Sequence, residues 1–248
     1  MVGRYNLVHI FCPLSDSTRS LSTSLMIKFC KGFLIFLFGL SCFNGLAQSS
    51  DLGNWLIYFG NKQIDKKWNW HHEAQYRNYN ALGDLEQLLL RTGIGYNLSE
   101  NNNNVLLGYG FIHSQNYLPE TEGKVNIDEH RIFQQFITRQ SFGRVNLQHR
   151  YRFEQRWIEG QDFRLRFRYF LALNIALTKP EMTDGAFYFS SYNEIFLNND
   201  SPVFDRNRLY VGLGFRLSNL ARFEMGYMNQ FLNAGDRDQI NLITFLNF

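Results

Sequence analysis

The chain has 248 residues, of which 25 are Lys or Arg, 22 are Asp or Glu and three are Cys, with 45% hydrophobic and 17% aromatic residues. A formal charge of +3 with no domain-wide positive excess argues against nucleic acid as a partner. So high an aromatic content at a mildly negative mean hydropathy is unlike a helical membrane protein and suits a sheet that is greasy on one face and wet on the other.

The first element is an export signal. A short basic segment, Met26-Ile-Lys-Phe-Cys-Lys31, precedes an apolar run over 32–43, and the small residues Gly45 and Ala47 predict cleavage after Ala47. The run of about a dozen apolar residues falls short of the ~20 that a spanning helix requires. Residues 1–25 have no place in this pattern and read as an upstream reading-frame extension, with Met26 as the start. The expected organisation is therefore 1–25 extension, 26–47 signal peptide and 48–248 one β-barrel domain. Lipid attachment at Cys42 is the alternative, although Gly39-Leu40-Ser41 fits that signal poorly. All three cysteines (Cys12, Cys30, Cys42) precede the cleavage point, so the exported domain has no disulfide to hold it together. Cleavage removes Arg4, Arg19, Lys28, Lys31 and Asp16, leaving 21 basic and 21 acidic residues.

Beyond the signal, the pattern alternates with period two between turn-rich breaks, which predicts strands. A short candidate at 55–60 is followed by 68–79, with Trp68, Trp70, Ala74 and Tyr76 on one face and His71, Glu73, Gln75 and Arg77 on the other. In 85–98, Leu88, Leu90, Ile94 and Tyr96 alternate with Arg91, Gly93 and Gly95. Strands at 105–117 and 129–141 follow. The sharpest contrast comes at 145–157, where Val145, Leu147, Tyr151, Phe153 and Trp157 alternate with Asn146, Arg150, Arg152, Glu154 and Arg156. In 163–175, Phe163, Leu165, Phe167 and Tyr169 alternate with Arg164, Arg166 and Arg168. Strands at 186–197, 208–217, 221–232 and 240–248 complete the set. Most of these match or exceed the ~9–11 residues that cross a bilayer at a tilt. Aromatics at strand ends suit interfacial girdles.

The last strand puts Ile240, Leu242, Leu246 and Phe248 on one face and Asn241 and Asn247 on the other. Its aromatic end resembles the assembly signal of outer-membrane barrels. The expected fold is all-β, a closed antiparallel up-and-down transmembrane β-barrel of about ten to twelve strands in the bacterial outer membrane. Its expected partners are outer-membrane lipid, the barrel-assembly machinery through 240–248, and a small anionic solute. Ten strands from Trp68 onward put both ends on the periplasmic side, with the long breaks 118–128 and 198–205 outside; the 55–60 segment makes eleven.

The expected lumen is a charge network of Glu73, Arg77, Glu129, Arg131, Arg150, Arg152, Glu154, Arg156, Arg164, Arg166, Arg168, Glu194, Arg208 and Glu224. A two-residue turn at Phe142-Gly143 would pair Ser141 with Arg144, Glu129 with Arg156 and Arg131 with Glu154. The next hairpin would gather Arg152, Arg156, Arg164 and Arg168, whose like charges need carboxylates, water or a bound anion. Such a lumen is either a polar plug, with Phe133, Tyr210 and Gln230 packed in, or a selective path. Under the second reading, Arg152→Glu with Arg166→Glu would reverse ion preference.

Catalytic signals are sparse. His71 and His72 face opposite ways on a strand and cannot share a metal, and no zinc motif, phosphate loop or G-x-S-x-G elbow occurs. Neither a metal nor a cofactor is expected, and the expected protein is not an enzyme. A lipid-modifying barrel enzyme is the alternative; it would need a pair such as Ser141 and His149. A soluble periplasmic barrel holding an apolar ligand would need the opposite facing, with Arg150 to Arg168 on the surface.

The series Trp55-Leu-Ile-Tyr58, Glu73-x-x-x-Arg77, Glu129-x-Arg131, Arg150-x-Arg152-x-Glu154-x-Arg156, Arg164-x-Arg166-x-Arg168, Asn193-Glu194-x-Phe196, Asn207-Arg208 and Gly226-Tyr227 resembles the DUF2490 family over nearly all of 51–248. The resemblance implies an outer-membrane β-barrel-like fold and supplies no mechanism. The Ala47-Gln48 junction is similar to export signals common in Bacteroidetes.

Overall fold

Alternating side chains commit each segment to two faces, and the computed structural model joins those segments edge to edge. It describes residues 52–248 except 82, 100, 101, 120 and 122. The expectations for 1–25 and for the signal at 26–47, Cys42 included, lie outside the described residues.

Among the described residues there are eleven strands: β1 (Gly53–Gln63), β2 (Trp68–Asn78), β3 (Leu85–Asn97), β4 (Asn103–Tyr117), β5 (Lys124–Phe142), β6 (Val145–Ile158), β7 (Arg164–Ala176), β8 (Phe187–Asn198), β9 (Phe204–Arg216), β10 (Ala221–Leu232) and β11 (Gly235–Asn247). Neighbours in sequence pair antiparallel, and the sheet closes when β1 pairs with β11. With an odd number of strands the first and last run in the same direction, so this seam is parallel, from Gly53 beside Gln239 to Asn61 beside Asn247. This corrects the wholly antiparallel expectation. It also separates the two ends, since β1 starts beside Asn78 and Gln239 at the end of the β8–β9 loop while β11 finishes at the opposite end, that of the β5–β6 turn. The expected division into long loops at one end and tight turns at the other does not hold, because the connection 177–186 lies at the β5–β6 turn end and the two-residue turn 233–234 at the β8–β9 loop end. Phe248 is tied into the seam: the Gln63 amide donates to its carbonyl and its own amide donates to the Asn61 carbonyl, both at 2.9 Å.

Several strands outrun their expected limits at the β8–β9 loop end. β5 begins at Lys124 because the ladder with β4 continues to Tyr117. β11 begins at Gly235 because Asp236, Arg237 and Asp238 pair with Phe231, Gln230 and Asn229. Charge and glycine make that stretch resemble a break, yet Arg237 has Glu86 as a partner, and Asp238 accepts from Tyr227 and Asn229.

The turn after β5 corrects the expected register. Phe142 pairs with Val145, so the two turn residues are Gly143 and Arg144. Gly143 has φ of 56°, which a two-residue loop with glycine first requires. Glu129 therefore faces Ile158, and Arg131 faces Arg156. The slip is by two residues, so each side chain keeps its face.

That facing is uniform. Leu90, Ile94, Leu107, Ile132, Tyr151, Phe167, Leu213 and Met225 are exposed on the outside, while Glu73, Arg131, Arg152, Glu154, Arg168 and Glu194 are buried inside. An apolar-lined soluble barrel would need the reverse. Aromatic side chains span the inner wall where the opposing strand has glycine: an ideal Cβ on Gly108 would lie 2.3 Å from Phe133 Cζ, and one on Gly214 would lie 2.1 Å from Tyr188 Cζ.

Candidate functional site

The inner wall is built by period-two placement of Arg and Glu on β5 to β9, and its organising group is Glu154. This carboxylate has 0% exposure. It accepts from Arg166 Nη2 at 2.6 Å and Nε at 3.0 Å and from Arg168 Nη1 at 2.7 Å. Arg152 Nη1 and Arg131 Nη1 stand further off, at 3.7 and 4.0 Å. Four guanidinium groups thus surround one carboxylate, an arrangement that survives burial only because further acids share the load.

Those acids flank it. Glu129 takes Arg131 through two hydrogen bonds and Arg156 through two more, at 2.6 and 3.1 Å. Glu194 accepts from Arg168 at 2.8 Å and Arg150 at 2.7 Å. Glu73 accepts from Arg91 and Gln75, with His71 Nε2 at 3.6 Å. The Glu129–Arg156 and Arg131–Glu154 contacts expected from sequence therefore occur, but diagonally across the corrected register. Arg152 faces Arg168, and Arg156 faces Arg164, as the β6–β7 hairpin predicts.

Two expected members stand apart. Arg164 lies at the mouth, 3.9 Å from Asp200, with its side chain 41% exposed. Glu224 meets no guanidinium within 4 Å among the described residues; it accepts instead from the Tyr188 hydroxyl at 2.8 Å and the Ser190 hydroxyl at 2.9 Å. Of the residues expected to pack inside, Phe133 and Tyr210 are fully buried, and Gln230 accepts from Arg208 Nε at 2.8 Å.

Aromatic rings carry part of the charge burden. The Phe196 ring lies under Arg168 and Arg208, 4.4 and 4.6 Å from its centroid. The Trp55 ring lies against Arg77 at 3.7 Å and Arg208 at 4.8 Å. A desolvated guanidinium gains ~2 kcal/mol from such a face.

Sequence reasoning omitted two acids, and both sit at register shifts. Between β8 and β9, Phe196 pairs with Arg206 and Leu197 with Phe204, so Asp205 is the extra residue. Between β2 and β3, Arg77 pairs with Gln87 and Asn78 with Leu85, leaving Glu86 extra. A bulge re-aims a side chain against its parity. Asp205 thereby reaches Arg166 Nη1 at 3.0 Å and Arg206 Nε at 3.2 Å, and Glu86 reaches Arg237. Both line a cavity of about 360 Å³ at the β8–β9 loop end, together with Trp55, Arg77, Glu129, Arg156, Arg206, Arg208 and Gln230.

The outer face has few polar groups, and several pair across strands. Asn193 Nδ2 donates to Asn207 at 2.8 Å, and Gln155 Nε2 to Gln134 at 3.1 Å. His149 Nδ1 meets the Tyr169 hydroxyl at 2.9 Å, while Ser141 donates to Asn146 at 2.7 Å, so these two residues do not form the pair a lipid hydrolase would use. His113 Nδ1 lies within hydrogen-bonding distance of a carboxylate, 2.7 Å from Asp128. His71 and His72 point to opposite sides, the first to Glu73 and the second to Trp70 and Phe248. Among the described residues no cluster of three or more His, Cys, Asp or Glu could hold a metal ion.

An uncharacterized protein of Methylorubrum extorquens is 29% identical over 166 residues, covering 64% of this chain and 69% of the relative. No solved structure matches. The family described as a protein of unknown function, DUF2490, matches residues 52–241. An eleven-stranded barrel enclosing an Arg/Glu network, with that match over most of its length, belongs to the DUF2490 family.

Proposed function

We propose that the protein is a non-enzymatic outer-membrane barrel whose lumen is closed by its own charge network. The observation that carries this is the distribution of side chains: large apolar residues are exposed around the outside while charged rows are enclosed. In water such a surface would associate; against acyl chains it is the solvated one. Paired polar groups on the outer face support the same reading, because an unpaired amide costs several kcal/mol in hydrocarbon. Aromatic pairs mark the two ends of the outer wall, Trp68 with Tyr96 at 5.0 Å at the β5–β6 turn end and Trp157 with Phe163 at 5.2 Å at the β8–β9 loop end.

Closure is favoured over conduction by the middle of the lumen. Each strand contributes a nearly inaccessible inward side chain, among them Trp55, Ile112, Phe133, Glu154, Phe196, Tyr210 and Met228. A water-filled path would have to pass beside atoms that a water molecule does not touch. Membrane fractionation with heat-modifiable gel mobility tests the location, and partition into the soluble fraction without detergent would overturn it. Planar bilayers test closure. Inserted protein should give no conductance steps, and steps with anion preference would restore the channel reading.

A further inference from the structure

Two buried arginines stand outside the network. Arg77 and Arg208 are 6% and 7% exposed, and among the described residues neither has a carboxylate within 4 Å. Arg77 donates only to amide oxygens, to Gln75 at 2.6 and 3.1 Å and to Gln87 at 2.7 Å. Arg208 gives its Nε–H to Gln230, and its terminal amino groups hold no acceptor among the described residues. Both guanidiniums rest on the ring of Trp55, so two like charges converge on one spot.

Both also line the 360 Å³ cavity at the β8–β9 loop end. The acids lining that cavity are already engaged: Glu129 by Arg131 and Arg156, Asp205 by Arg166 and Arg206, Glu86 by Arg237. Excess positive charge is therefore left where there is space beside it. A buried guanidinium without a counter-charge is costly, and an oxyanion is the group its fork geometry fits. The volume corresponds to about a dozen waters, within the range of small-ligand sites. The lining includes the exposed Gln161 and the half-exposed Arg164, so the cavity reaches the mouth of the barrel.

We propose that this cavity binds a small soluble oxyanion, a phosphate- or carboxylate-bearing solute, held by Arg208 and Arg77 beside Trp55. The site faces the lumen, not the lipid side, so the proposal does not depend on where the barrel resides. Equilibrium dialysis of the detergent-purified full chain against labelled inorganic phosphate, and separately against citrate, at constant ionic strength, tests it. Saturable binding of at least one probe is expected, weakened about tenfold or more in Arg208→Gln. Arg139→Gln, which removes an exposed arginine near the opposite, β5–β6 turn end, should bind as the wild type does. No saturable binding of either probe by the wild type up to about 10 mM overturns the site, and that arm needs no variant to fold. Equal affinity in Arg208→Gln, or equal loss in Arg139→Gln, overturns it too.

Discussion

Replacing Glu154 by Gln removes one negative charge from the centre of the lumen while leaving the shape almost unchanged. Glu154 accepts three charge-assisted hydrogen bonds from Arg166 and Arg168. At ~1.5–3 kcal/mol each, their sum would exceed what removal of one partner of a buried pair usually costs. The excess is not lost, because Arg166 keeps Asp205 at 3.0 Å and Arg168 keeps Glu194 at 2.8 Å. The expected destabilisation is thus about 3–5 kcal/mol. Urea unfolding of the refolded barrel, followed by tryptophan fluorescence, reads it as a drop in midpoint of about 1–2 M at a slope of about 2–3 kcal/mol/M. Arg164→Gln is the internal reference. Its pair with Asp200 is 3.9 Å long, with side chains 41% and 49% exposed, and should be worth ~1 kcal/mol or less. If Glu154→Gln stays within about 0.5 kcal/mol of the wild type, the lumen is hydrated and its charges are solvated, and the reasoning from burial fails.

Gly214→Ala would drive a methyl group into Tyr188, which its hydrogen bond to Glu224 holds in place. A loss of about 1–3 kcal/mol should appear as a lower gel-shift temperature, with a smaller loss for Gly110→Ala, whose methyl meets only the flexible Arg91 side chain at 3.2 Å. Equal melting of the two would refute the packing argument. Removing Phe248 deletes two hydrogen bonds across the parallel seam and should lower the yield of compact, heat-modifiable barrel; an unchanged yield would mean that the seam closes without it. Asp65, in the turn between β1 and β2, is held below its usual 3.8 chiefly by the Trp68 amide and then by that of Lys67. A depressed carboxyl stabilises above its unfolded pKa and loses that contribution as pH falls through the folded value. The wild type should therefore weaken relative to Asp65→Asn in acid, and parallel pH profiles for the two would contradict this.

Much of the lumen was legible because burial of one face is encoded residue by residue. Arg150, Arg152, Glu154 and Arg156 alternate with Tyr151, Phe153 and Trp157, and no neighbour is needed to know that they point opposite ways. Pair contacts were harder to read. The alternation pairs Glu129 with Arg156 through a register two residues out, and the contact nonetheless forms because a long arginine spans the diagonal.

The chain's own order of residues determined the strands, their two faces and the enclosure of the Arg and Glu rows, since strand periodicity is a local property. Only the closed sheet decided the rest. Eleven strands oblige β1 and β11 to run parallel, which no single segment can announce. Bulges turned Glu86 and Asp205 inward against their parity, because ladder pairing with a neighbouring strand sets where an extra residue goes. The distribution of acids over guanidiniums, which leaves Arg77 and Arg208 without carboxylates beside Trp55, follows from distances across the lumen between residues far apart in the chain.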